Sequence, residues 1–173
     1  MKLLFIGDMA PTGFGSVTTD LGRALLELGL DLRFLSQNEL GTLPEPFASR
    51  TFVLNDRVGW QRAADIGKLG ISGILDGSLW QDGWQADAVL ILGDFYAARG
   101  VVFLDEHGEA AFRNVPTYHY VPIEGVELPP SWRGLWEIAH PVAMSEFGAT
   151  EIAKVTGSRP PVVYHGVDTE TFH

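Results

Sequence analysis

Leu3-Leu4-Phe5-Ile6-Gly7-Asp8-Met9-Ala10-Pro11-Thr12-Gly13-Phe14-Gly15-Ser16 is the stretch that decides the fold. Leu3 to Ile6 is continuously apolar, as a strand covered on both faces would be. A glycine-rich turn follows, and beyond it Val17, Leu21, Ala24, Leu25 and Leu28 recur at the spacing of one helix face. Ser16 is placed as the N-cap of that helix and Gly29 as its C′ residue. Strand, glycine turn and helix in this order open an α/β sheet. Glycines at the junction let the backbone approach a ligand, and the helix N-terminus offers unpaired amides and about half a positive charge. Either these glycines admit a diphosphate or they serve only to pack helix on strand; the order of elements favours the diphosphate.

Outward from this turn, apolar runs alternate with helical segments. Leu30 to Leu35, Thr51 to Leu54, Ala88 to Leu92, Pro116 to Val121, Val142 to Met144 and Val162 to Tyr164 read as the second to seventh strands. Ser131 to Ile138 and Glu146 to Val155 read as intervening helices, and Gly59 to Trp84 as one or two short ones. Val101 to Leu104 and Ala110 to Phe112, on either side of His107-Gly108, form either a helix and loop or a small hairpin. The sum is a single α/β domain with a doubly wound, mostly parallel sheet of about seven strands.

Composition narrows the function. A net charge of −10 repels polyanions, so no nucleic-acid partner is expected. The chain has no cysteine, which removes disulfides, thiolate catalysis and cysteine metal sites. The five histidines show no H-x-x-x-H or H-E-x-x-H spacing, so no metal is predicted. The four-residue apolar stretch before Gly7-Asp8 is too short for a signal peptide, and no run approaches a membrane span. A cytosolic location is expected.

The turn itself argues against a nicotinamide dinucleotide. The third glycine of the G-x-G-x-x-G fingerprint falls on Thr18, and Ser36 and Gln37, not an acid, follow the second strand. A second constellation, Thr117-Tyr118-His119-Tyr120-Val121-Pro122-Ile123-Glu124-Gly125, closes the fifth strand, on the edge where ligands of open α/β sheets collect. Period-two alternation puts Thr117, His119 and Val121 on one face and Tyr118 and Tyr120 on the other. His119 is either a contact for a sugar hydroxyl or a satisfied structural residue. Glu124 is a candidate acid, base or hydroxyl acceptor, weighed against a solvated loop carboxylate. Asp8 and Asp94, at the first and fourth strand ends, either meet acceptor hydroxyls or cap the turns that follow. Trp132 and Trp136 share a helix face and read as core before sugar platform; Trp80 and Trp84 carry the same two readings.

Several segments together resemble the N-terminal half of the retaining family 4 glycosyltransferases, enzymes of two Rossmann-like domains (the GT-B fold). They are Gly13-Phe14-Gly15 before the helix ending Ala24 to Gly29, the strand Tyr118-His119-Tyr120, and Leu128-Pro129-Pro130-Ser131-Trp132. After them come Val142-Ala143-Met144-Ser145-Glu146-Phe147-Gly148 and His165-Gly166-Val167-Asp168 with Phe172. The resemblance implies an acceptor-side domain over residues 1–164 and an exit segment, 165–173, toward a C-terminal donor-binding domain. It implies a nucleoside-diphosphate sugar as donor substrate, with no covalently bound cofactor, and a sugar, lipid or small molecule as acceptor. Gly13, Phe14, Gly15 and Ser16 would bind the donor diphosphate. His119 would touch the transferred sugar, and Glu124 stands as a further catalytic candidate. Asp8, Asp94, Tyr118, Ser145 and Glu146 would line the acceptor cleft. On this reading the chain alone has little or no transferase activity, and its open inter-domain face favours self-association. A free-standing nucleotide- or phosphate-binding module is the competing reading.

Overall fold

The computed structural model describes residues 1–36, 43–53, 82–102 and 115–166. Its strands are β1 (Lys2–Gly7), β2 (Asp31–Ser36), β3 (Thr51–Val53), β4 (Ala88–Leu92), β5 (Thr117–Val121) and β6 (Ala139–Ala143). Its α-helices are α1 (Gly13–Glu27), α2 (Phe95–Val102), α3 (Arg133–Trp136) and α4 (Glu146–Thr156), with 3-10 turns at Ala48–Arg50 and Pro130–Trp132. All six strands pair in parallel in the order β3-β2-β1-β4-β5-β6. That is the doubly wound Rossmann-like order, reversing direction between β1 and β4.

The apolar run of β1 follows from its place. It lies between β2 and β4, and Leu4 and Ile6 enter one core cluster while Leu3 and Phe5 enter the other. The first cluster packs against α2, α3 and α4 through Phe95, Ala98, Leu135, Trp136, Ala149 and Ile152. The second lies under α1, where Phe5, Phe34 and Phe47 form a run of ring contacts at 5.7 and 5.4 Å. Gly22 lets α1 come down on it, since a Cβ there would stand 2.9 Å from the Phe34 ring.

This close approach corrects the helix face read from periodicity. Thr18 and Gly22 are buried and Val17, Leu21 and Leu25 half-buried, whereas Ala24 and Leu28 are exposed. The helix ends as expected. Gly29 has φ +81°, its amide donates to Leu26 O, and Leu30 N donates to Leu25 O, a Schellman pattern. The start differs: Thr12, not Ser16, is the N-cap, its hydroxyl accepting from Gly15 N at 3.0 Å.

Strand β6 begins three residues earlier than Val142 and includes His140-Pro141. The seventh strand shrinks to a single parallel bridge between Ala143 and Val162. Ala143 N donates to Pro161 O and its carbonyl accepts from Val163 N, so Ala143 faces outward and, by the period of two, so does Pro141. Proline has no N–H to give, so the ladder does not run back from Ala143, and forward it stops because β6 ends at Ala143 and Ser145 caps α4. The expected helix from Ser131 to Ile138 is a 3-10 turn running into the short α3. Trp84 is buried, its indole N–H donating to Asp31. The readings for Trp80, most of Gly59 to Trp84, and the stretch from Phe103 to Phe112 lie outside the described residues, as does the run from Val167 to Phe172.

Candidate functional site

Each helix that follows a strand starts at the same edge of the sheet. The N-termini of α1, α2 and α4 therefore collect around the C-terminal ends of β1, β4, β5 and β6. Register places Ile6 beside Ile91 and Ile91 beside His119, so the turns Gly7-Asp8 and Gly93-Asp94 flank the point where strand order reverses. Open α/β sheets bind ligands in that crevice.

The β1–α1 turn is built by a short relay. Asp8 Oδ1 accepts from Ala10 N at 2.8 Å, and Asp8 Oδ2 accepts from the Thr12 hydroxyl at 2.9 Å. Thr12 in turn caps Gly15 N. Gly15 is required by the turn, since a Cβ there would lie 1.7 Å from Ala10 O. Gly13 differs: a Cβ there would meet nothing within 4 Å. The amides of Gly13 and Phe14 make no hydrogen bond to a described residue, and Gly13 is exposed. Ser16 is exposed, with its hydroxyl turned back onto Thr12 O. Thr18, at the third fingerprint position, is buried against Gly7 and donates to Phe14 O at 2.9 Å. The close helix–strand contact is thus made with the glycine on the strand.

The other two helix starts carry their own anions. Asp94 caps α2, with Oδ1 accepting from Ala97 N at 2.7 Å. Ser145 caps α4 through Gly148 N at 3.0 Å, and Glu146 in the first turn is paired with Arg159. Asp94 and Glu146 are exposed. Of the three, α1 alone has neither an acidic cap nor an acid in its first turn.

His119 is fully buried. Its Nε2 lies 3.0 Å from Gly93 O, and its Nδ1 lies 3.2 Å from the Trp136 indole nitrogen. A carbonyl only accepts and an indole N–H only donates, so the proton sits on Nε2 and Nδ1 presents its lone pair. Burial pushes the ring's pKa down to about 4, against the opposing pull of the Gly93 carbonyl and Asp94. Neither nitrogen is left over for a sugar hydroxyl in this arrangement. Trp136 is core, whereas Trp132 is half-buried and stacks on Phe95 at 4.0 Å.

Tyr118 lies on the opposite face of the sheet from His119, exposed, with its ring 5.9 Å from that of His140. Tyr120 shares that face, and its hydroxyl donates to Val163 O at 2.9 Å and meets His165 Nδ1 at 3.1 Å. Burial raises the Tyr120 pKa. Glu124 is exposed in the loop after β5. The structure thus gathers Asp8, Gly13, Phe14, Asp94, Glu124, Ser145 and Glu146 along one edge and leaves Tyr118 off it.

Sequence reasoning missed the roles of Thr12 and Trp136. Thr12 had a local signal, a threonine three residues before Gly15 and four after Asp8. Trp136 had none, because its partner is 17 residues away. A separate cleft of about 330 Å³ runs along the outer edge of β6, lined by Arg133, His140, Pro141 and Arg159 among others. Its arginines are paired with Glu137 and Glu146, and the strand-end crevice is where the chemistry-bearing groups meet. Among the described residues no three His, Asp or Glu side chains gather to hold a metal, and no described helix is long and apolar enough to cross a membrane.

No family model and no curated protein matches the chain. Among solved structures it is similar to a ugt transferase from Siraitia grosvenorii in complex with UDP, at 11% identity and a TM-score of 0.49. The match covers 98% of this chain and 50% of that one, so the chain spans about half the length of that structure.

Proposed function

We propose that the chain is the acceptor-side half of a glycosyltransferase that moves a sugar from a nucleoside diphosphate to an acceptor. The observation that carries this reading is the open start of α1, with two amides that no described residue accepts from, no acid in its first turn and exposed Gly13 at the switch point. A departing diphosphate gathers negative charge as the glycosidic bond breaks. Fixed amides and the positive helix end stabilise that charge without reorganising. Asp8 keeps its carboxylate turned to Thr12 and Ala10, inside the turn. Retention of anomeric configuration, and donor binding by a second Rossmann-like domain reached through the exit segment 165–173, are what the motif resemblance implies.

The test is nucleoside diphosphate release from a panel of nucleotide sugars, using the 173-residue chain and a chain extended along its reading frame. Turnover is expected from the extended protein, reduced when Gly13 is replaced by Asp, with little or none from the 173 residues alone. No turnover from the extended protein with any donor overturns the proposal. Tight nucleotide binding by the 173-residue chain without turnover points instead to a binding module.

A further inference from the structure

Resting on that reading, we infer that His119 is a positioning residue for Asp94, and that Asp94 is the group that meets a hydroxyl of a neutral carbohydrate acceptor. Two partners of fixed polarity set the His119 ring. Gly93 O takes the proton on Nε2, and the Trp136 indole N–H takes the lone pair on Nδ1. A second proton on the ring would point at the indole N–H, so the ring cannot ionise without breaking one contact. What it does is hold the Gly93 carbonyl, at the peptide that joins β4 to α2.

That peptide is tightly seated. Gly93 is buried, and a Cβ on it would press on Ala97 at 3.3 Å. At the next residue, Asp94, Oδ1 accepts from Ala97 N and the carbonyl accepts from Ala98 N at 3.1 Å. Its Oδ2 accepts from no described residue and stands at the exposed edge of the crevice. Two residues on, Tyr96 is exposed, its ring edge-on to Trp132 at 6.2 Å. A carboxylate oxygen two residues from an exposed aromatic ring suits a sugar, whose hydroxyls donate and whose C–H faces stack. The same carboxylate repels a phosphorylated acceptor.

Asn caps helices as well as Asp does, so Asp94→Asn removes the charge and keeps α2. In the protein that turns over nucleotide sugar, with methyl glucosides, mannosides and galactosides as acceptors, Asp94→Asn is expected to raise the acceptor KM about tenfold, roughly one hydrogen bond to a charged group, with the donor KM unmoved. His119→Phe should do the same, His119→Gln should recover most of the loss, and the Asp94→Asn/His119→Phe double variant should be no worse than either alone. A raised donor KM in both His119 variants overturns the positioning role, as does an acceptor KM untouched by Asp94→Asn. Two measurements on the 173-residue chain are independent of turnover. Long-range 1H–15N NMR should show the Nε2–H tautomer from pH 8 to 5.5, and titration between pH 6 and 7 overturns it. Saturation-transfer NMR should show the methyl glycosides bound by the native chain and not by Asp94→Asn; equal signals overturn the role of Asp94. Failure of the transferase reading alone would leave both NMR results standing.

Discussion

The β1–α1 turn and the β5 strand both ask to be read as functional, and the structure treats them in opposite ways. The turn spends its side chains on itself, Asp8 to Thr12 to Gly15, and leaves backbone amides facing outward. The strand spends its most reactive side chain on the interior, with His119 closed between Gly93 and Trp136. Residue type therefore says little about which group a ligand can reach. What decides is whether the polar atom is already satisfied where burial makes that satisfaction obligatory.

Two glycines two residues apart in the turn give the sharpest way to break this comparison. Gly15→Ala is expected to cost roughly 4 kcal/mol or to rebuild the turn, because its Cβ would fall inside Ala10 O. Urea denaturation measures it, and a loss under about 1 kcal/mol would mean the turn is far softer than drawn.

The next effect belongs to the strand. An unfolded histidine titrates near 6.5, whereas burial holds His119 at about 4. The unfolded chain therefore takes up this proton first, so the contribution is complete above pH 6.5 and is lost as pH falls from there toward 4. The full loss is about 3 kcal/mol. Denaturation at pH 7, 5 and 4 should show this slope in the native chain and a shallower one in His119→Gln.

Smaller still, Thr12→Ala removes the N-cap of α1 and should cost about 1 kcal/mol, read as a lowered denaturation midpoint with an unchanged slope. The smallest is Gly13→Ala. It meets nothing, and should gain roughly 0.5 kcal/mol by stiffening the unfolded chain. If Gly13 lies against a diphosphate, the same change weakens nucleotide binding while the fold improves. That opposite response would separate the two glycines completely.

The sheet was legible wherever a run was apolar throughout. Ala88 to Leu92 is β4 to the residue, because a strand covered on both faces leaves no ambiguity of period. Boundaries failed where tertiary contact overrode periodicity. Gly22 drew the α1 face away from Ala24 and Leu28, and β6 ends at Ala143, with Ser145 already capping α4, before Val162 to Tyr164 can extend the ladder. The crevice was legible as a set of strand ends, since topology brings them together. The partners within it were not. Nothing in the spacing of His119 and Trp136 reveals that one ring holds the other, and Asp94 looks alike in sequence whether it caps a helix, meets a ligand or does both.

Pro141 also bears on how the protein behaves in concentrated solution. An exposed edge strand is a template on which another chain can grow a ladder, and long flat edges seed fibres. Along β6 the outward-facing position that would offer the next donor has none to offer. Its neighbour Ala143 is already engaged by Val163 and Pro161. Strand addition at this margin meets a gap of one donor, which disfavours a continuous ladder there.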